Sequence, residues 1–295
     1  MSRPWLSIVI PARNDAAALR RTLDWLYRLP DREATETIIA AAGDRDGTEA
    51  AVADRARLVF PPDSTRAALM NAGAAVARGD VLFFLHADSF PPTDWVALVR
   101  QELDDPGVVG GAFEHRFLEP AWSLRVISSI NRIRYRLTRN YYGDQGVFVR
   151  STAFDALGGY RPLSVLEDLD LSRRLRRLGR TVLIPAPLGT SGRRFLVRGP
   201  WRTFFFIVWL LLLATLRLDT ERQAERWRGP ADLPPGSPWP RGHLRRPVSP
   251  GRVSPLLAVG RLVDTAWGGS ASRTDTIGQG AEAHSARIRE GLTRV

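Results

Sequence analysis

The 295-residue chain contains no cysteine, no lysine and only two methionines. Without cysteine it has no disulfide and no thiolate metal site, so any bound metal must be held by oxygen or imidazole. Without lysine, every one of its 42 basic residues is arginine, the side chain whose rigid fork matches phosphate oxygens. A long hydrophobic run is also missing. The longest, Phe204 to Ala214, falls short of the ~20 residues a membrane-spanning helix needs. At the amino terminus "LSIVI" is too short for a secretory leader, and cytoplasmic residence is the expectation. There is no zinc-finger spacing and no basic-aromatic recognition motif, which argues against nucleic acid as a partner.

What is present is unevenly placed. The formal charge of +11 breaks down into net −5 over residues 1–120, net +12 over 121–228 and net +4 beyond. A basic middle suits an anionic partner, either nucleotide phosphates or an acidic membrane surface. "RTFFFIVWLLLLATLR" is apolar nearly all round and flanked by Arg198, Arg202 and Arg217. Such a helix packs in a core or against protein, or lies in a lipid interface. With the basic helix expected over 122–140, it suggests peripheral contact with the inner face of an anionic membrane.

Apolar runs and helical periodicities alternate through the first half. Strands are expected over 5–11 (closed by Pro11), 34–42, 56–60 and 81–85, with helices over 15–29, 47–55 and 65–79. Strands alternating with helices point to an α/β fold with a mostly parallel, Rossmann-like sheet flanked by helices. Ligands of such sheets gather beyond the carboxyl ends of the strands. The second half reads as a strand over 108–117, the helix over 122–140, a short strand at 147–149 and a helix ending at Gly158-Gly159. A helix over 164–179 with Leu171, Leu175 and Leu178 on one face follows, then a strand over 180–185 and a long helix over 203–228. From Gly229 proline and glycine dominate, so residues 1–228 are expected to form the domain and 229–295 a largely disordered tail.

The run "VLFFLHADSF" poses the chemical question. A strand buried on both faces leads directly into His86 and Asp88, and a carboxylate there needs a partner, hydrogen bonds or a metal. Asp88-Ser89 would also serve as a plain turn before Pro91-Pro92. The other acidic clusters have ordinary explanations of the same kind. Asp44 and Asp46 suit a turn, and Glu167-Asp168 the first turn of a helix, where the dipole favours carboxylates. Arg193-Arg194 suit a solvated pair.

Their order is more informative than any one of them. "LSIVIPARND", "DRDGT", "TRAALMNAGAAVARGDVLFFLHADS", "GGAF", "YGDQGVFVR", "FDALGGY", "LEDLDLSRRLRRLGR" and "TSGRRF" run from residue 6 to about 217. Together they resemble the family-2 glycosyltransferases of GT-A fold. The spellings "HADS", "YGDQG" and "TSGRR" are similar to those of a bacterial subgroup linked to arsenosugar assembly.

The resemblance implies an inverting transfer from a nucleotide-diphospho-sugar to a hydroxyl acceptor, with Mn²⁺ or Mg²⁺ at Asp88 and His86. It implies Asp168 as the general base with Glu167 beside it. Ala12, Arg13, Asp15, Asp44, Arg66, Asn71, Arg193 and Arg194 would surround the nucleotide sugar, and Asp144 and Gln145 the acceptor. Two departures stand out. Ala42 occupies the place where relatives carry the strand-two acid, and His86 the place where many carry a carboxylate. A sugar nucleotidyltransferase is the rival enzyme, but it would want a glycine-rich loop after the first strand, and "PARND" has no glycine. A non-catalytic, membrane-docked scaffold is the other alternative.

Overall fold

The computed structural model describes residues 3–43 and 47–216, with Leu218 and Thr220. In chain order the elements are β1 Leu6–Ala12, α1 Ala16–Leu26, β2 Thr35–Ala41, α2 Thr48–Val52, β3 Arg57–Val59, α3 Arg66–Ala75, β4 Val81–Phe84, β5 Ser89–Phe90 and α4 Trp95–Leu103. Then come β6 Val108–Phe117, α5 Trp122–Thr138, β7 Val147–Arg150, α6 Ser151–Ala156, α7 Glu167–Leu178, β8 Arg180–Thr190, α8 Arg193–Arg198 and α9 Pro200–Thr215.

Among the described residues the strands form one sheet in the order β3-β2-β1-β4-β7-β6-β8-β5. The β3-β2-β1-β4 half is parallel, as the alternating pattern requires. β7 then enters antiparallel to both β4 and β6, so the sheet is mixed across its second half. One apolar cluster packs around Phe83, Phe113 and Phe148 with Trp95 and Leu19; a second joins Val9, Met70 and Phe84 to Phe154, Leu171 and Leu175. Helices therefore cover both faces, which is why Val81–Phe84 is buried at every position.

Proline misled the strand boundaries twice. β1 continues through Pro11 to Ala12, because its ladder with β4 has already ended at Val9 and Pro11 owes no donor on that side. β8 runs to Thr190 rather than stopping at Pro185, because the register against β6 jumps from Phe113↔Ile184 to Glu114↔Pro187. Pro185 and Ala186 are the bulge that absorbs the jump. Helix α4 and the short α8 were not foreseen, although Trp95, Val96, Val99 and Leu103 share the buried side of α4. Helix α7 begins at Glu167, with Leu166 before it at φ 62°, and its Leu178 is exposed rather than buried. The expected helix over 203–228 is observed from Pro200 to Thr215. The Pro/Gly-rich stretch 229–295 and the aspartates Asp44 and Asp46 lie outside the described residues. No helix among the described residues is long and apolar enough to cross a membrane.

Candidate active site

β1 and β4 are neighbours in the sheet, and their carboxyl ends bring Asp15 near Asp88, with Ala12 buried at the end of β1 and Arg13 exposed between it and Asp15. Thr65 caps α3 by accepting from the Ala68 N–H, which sets Arg66 at the first position of that helix. The left-handed residue Leu166 turns the chain into α7 so that Glu167 and Asp168 open it, both nearly buried.

Arg66 is the hub. Its Nη2 donates to Asp168 Oδ2 at 3.0 Å and its Nε lies 3.2 Å from Glu167 Oε1, while Nη2 also meets the His86 ring nitrogen. Burial works to lower the pKa of this guanidinium, but Asp168 and Glu167 outweigh it and the net shift is upward. Burial, then the positive charge of Arg66, holds His86 well below its ordinary value, so its imidazole is neutral at pH 7. The Gly143 N–H, in a 3-10 turn over Gly143–Gln145, donates to the same Asp168 oxygen at 3.0 Å. Asp168 Oδ1 is buried without a hydrogen bond of ordinary geometry. The Tyr160 hydroxyl meets that carboxylate: burial first, then the charge of Asp168 and a side-chain hydrogen bond to it, raise the phenol well above its usual value.

A second charged group adjoins this one. Arg193 at the start of α8 donates to Asp15 Oδ2 at 2.7 Å and stands 3.7 Å from Asp88 Oδ2. Burial lifts Asp88 to about 6; Arg193 opposes the shift and Asp15 adds to it. Arg194 is lowered by burial and by Arg198, with Asp88 acting the other way. Asp88, Asp15, Arg193, Arg194, Arg66, His86, Glu167 and Asp168 are thus brought to one edge of the sheet.

The amides of Asn71 and Gln145 are engaged with the backbone. The Asn71 amide is spent on the backbone of Tyr160, donating to its carbonyl at 2.8 Å and accepting from its N–H at 2.9 Å. Fully buried Gln145 donates to the Phe113 carbonyl and accepts from the Tyr142 N–H, so both ends of its amide are occupied. Asp144 stays partly exposed, with its Oδ2 3.6 Å from the buried ring of His115. Neither His115 nor Tyr160 was picked out in the sequence; only burial reveals them. Gly143 was visible within "YGDQG", but not the reason for it. A side chain there would collide with Arg66, His86 and Asp168.

A cavity of about 480 Å³ lined by Glu36, Arg57 and Arg78 lies at the amino ends of the strands and contains none of these side chains. The chemistry is on the opposite edge.

The model of the family described as "Glycosyl transferase family 2" matches residues 7–157. The chain belongs to that family. The matched stretch runs from β1 into the turn after α6, so it includes Asp15, Arg66, His86, Asp88 and Gly143, while Asp168 and Arg193 lie beyond it. No curated protein sequence matches this glycosyl transferase. Among solved structures it is similar to a mannosyltransferase of Pyrobaculum calidifontis in complex with GDP-mannose and Mn²⁺, at 17% identity and TM-score 0.58, covering 99% of this chain and 81% of that one. A glucosyl-3-phosphoglycerate synthase of Mycobacterium tuberculosis, solved with Mn²⁺, UDP and glucosyl-3-phosphoglycerate, aligns at 17% identity and TM-score 0.53 over 75% of this chain and 82% of that one. A mannosyl-3-phosphoglycerate synthase of Rubrobacter xylanophilus aligns at 19% and 0.50 over 79% and 78%. At such identities the likeness establishes the shared GT-A fold.

Proposed function

We propose that the protein is an inverting hexosyltransferase that moves a sugar from a nucleotide-diphospho-sugar to an acceptor hydroxyl, with Asp168 as the general base. One observation carries this reading: Arg66 and the Gly143 N–H fix the Asp168 carboxylate through Oδ2 at the same sheet edge as Glu167, His86 and Asp88, with the Tyr160 hydroxyl close beside it. A carboxylate held in a fixed position at that edge is suited to take a proton at a defined point. The acceptor O–H proton passes to Asp168 as its oxygen bonds to the anomeric carbon from one side. On the other side the bond from carbon to diphosphate oxygen breaks, and the leaving nucleoside diphosphate takes the electron pair. Arg193 and Arg194 provide positive charge to that leaving group, and Asp144 offers a carboxylate to acceptor hydroxyls.

Asp88, with Asp15, suits a divalent cation. Burial has lifted Asp88 to about 6 and Arg193 reaches it only at 3.7 Å, while Arg193 pairs with Asp15 at 2.7 Å, so an ion here would take the place of part of that arginine's contact. His86 adds a neutral ring nitrogen. No group of three or more His, Cys, Asp or Glu capable of holding a metal occurs among the described residues. An ion here would therefore complete its shell with phosphate oxygens and water, as Mg²⁺ and Mn²⁺ do. When bound, it supplies charge neutralisation to the diphosphate.

The domain proposed to carry this activity ends by Arg228. The test is turnover of a small panel of nucleotide sugars with Mn²⁺, with and without EDTA, in the full chain and in Asp88→Ala. Metal-dependent release of a nucleoside diphosphate, abolished by chelator and by Asp88→Ala, supports the reading. Release of pyrophosphate instead would identify a nucleotidyltransferase. No turnover with any donor would leave the scaffold.

A further inference from the structure

Helix α5 leaves Trp122, Val126, Ile130, Ile133 and Leu137 exposed, Leu137 to 80% and Trp122 to 65%. At about 100° per residue they occupy a single arc of the helix. Its opposite side is the one that packs, with Leu124 and Ile127 buried. Helix α9 repeats the arrangement with Phe205, Val208, Trp209, Leu212 and Leu216. The two arcs are joined through rings: Trp122 lies 6.0 Å from Trp201, which lies 6.4 Å from Phe205. The exposed side chains of Leu196 and Val197 add apolar surface from α8, and α8's Phe195 packs with Trp201 and Phe204 in one cluster.

The charge around this surface is mainly positive. No Asp or Glu occurs between Glu119 and Asp144, or between Asp170 and Asp219. A cavity of about 420 Å³ beneath α5 is lined by Arg116, Arg125 and Arg132 together with Glu114 and Glu119. Arg132 shares Glu114 with Arg136, whereas Arg116 and Arg125 make no ion pair among the described residues. Arg202 borders the arc of α9.

We infer that this face docks on an anionic lipid bilayer, with α5 and α9 lying in the plane of the interface. Contiguous apolar arcs of this extent are uncommon on a surface that meets only water. Apolar side chains would enter the acyl boundary while the bordering arginines reach back to headgroup phosphates. Both helices are too short to cross, which leaves the in-plane orientation. A second copy of the chain fits less well, because a two-fold contact would bring the same arginine border against itself.

Sedimentation of the full chain with vesicles tests this without reference to catalysis. Vesicles of phosphatidylcholine alone are compared with vesicles containing one-third phosphatidylglycerol, at low and moderate salt. The chain should bind the anionic vesicles and bind them less as salt rises. Ile133→Glu with Leu137→Glu, and separately Phe205→Glu with Trp209→Glu, should each lower partitioning about tenfold or more. These positions are exposed, so helix content by circular dichroism should be unchanged, as should turnover of soluble donor. Absence of binding to anionic vesicles would overturn the inference, and so would equal binding by both double variants. Light scattering provides the remaining outcome: a dimer dissociated by the same substitutions, with no vesicle binding, would assign the face to a second copy instead.

Discussion

Arg66 and Asp168 are 102 residues apart in the chain and meet at 3.0 Å. Arg66 opens α3 beside the parallel half of the sheet and Asp168 opens α7 beside the mixed half, so their ion pair ties the two halves together at the proposed base. Asp168→Asn keeps the size of the side chain and its place beside Arg66 while removing its basicity. It is expected to lower the transfer rate by about 10²–10⁴ with donor affinity nearly unchanged. Asp170 makes the control. It pairs with Arg174 at 2.7 Å and Arg161 at 3.3 Å, so Asp170→Asn should lower the melting temperature slightly and leave transfer intact. Equal effects of the two on kcat would overturn the assignment of the base.

Gly143 offers a sharper probe of geometry. A Cβ there would collide with Arg66, His86 and Asp168 Oδ2, whereas its backbone does not require the left-handed region. Gly143→Ala should displace the Arg66–Asp168 pair rather than strain the chain. The expected result is a kcat loss of about 10²-fold, since small misplacement of reacting groups is costly. A modest change in melting temperature should accompany it, and wild-type kcat would show that the turn has slack.

Asn71 is expected to act on stability. Its amide satisfies both backbone groups of buried Tyr160, and removing it strands a donor and an acceptor. Asn71→Leu should destabilise the fold by about 1–3 kcal/mol in denaturant titration. A large rise in donor KM at unchanged stability would instead place Asn71 in the nucleotide site.

His115 should shape the acid limb of stability. Burial lowers its pKa from the ordinary 6.5; Asp144 opposes the shift and Arg134 adds to it, with the Phe117 ring against its edge. Because the folded value is depressed, the unfolded chain takes up the proton first as pH falls. Stability is therefore full above about 6.5 and is lost between that pH and the native pKa, at up to about 1.4 kcal/mol per pH unit. His115→Gln should flatten that part of the melting profile. An unchanged slope from pH 7 to 5 would show that His115 does not titrate differently on folding.

Local pattern was enough to read the α/β class, the parallel first half and the edge where chemistry collects. Buried strands announce themselves as apolar runs, and the order βαβ admits few topologies. It also marked most of the residues that converge on Arg66 and Arg193, since each ends a strand or opens a helix. What it could not supply was the partner of each side chain. Asn71 and Gln145 are polar residues in motif positions, yet their amides close on the backbone of Tyr160 and on Phe113 and Tyr142, contacts made by residues up to 89 positions away. The continuation of β8 past Pro185 was equally hidden, because a bulge depends on the neighbouring strand. The sequence by itself determined which residues could be charged, apolar or helical, since those are properties of a residue and its near neighbours. Only the tertiary structure decided which carboxylate is held by Arg66 and the Gly143 N–H and which imidazole is buried. Burial and hydrogen-bond partners are set by segments that meet in space across long separations in the chain.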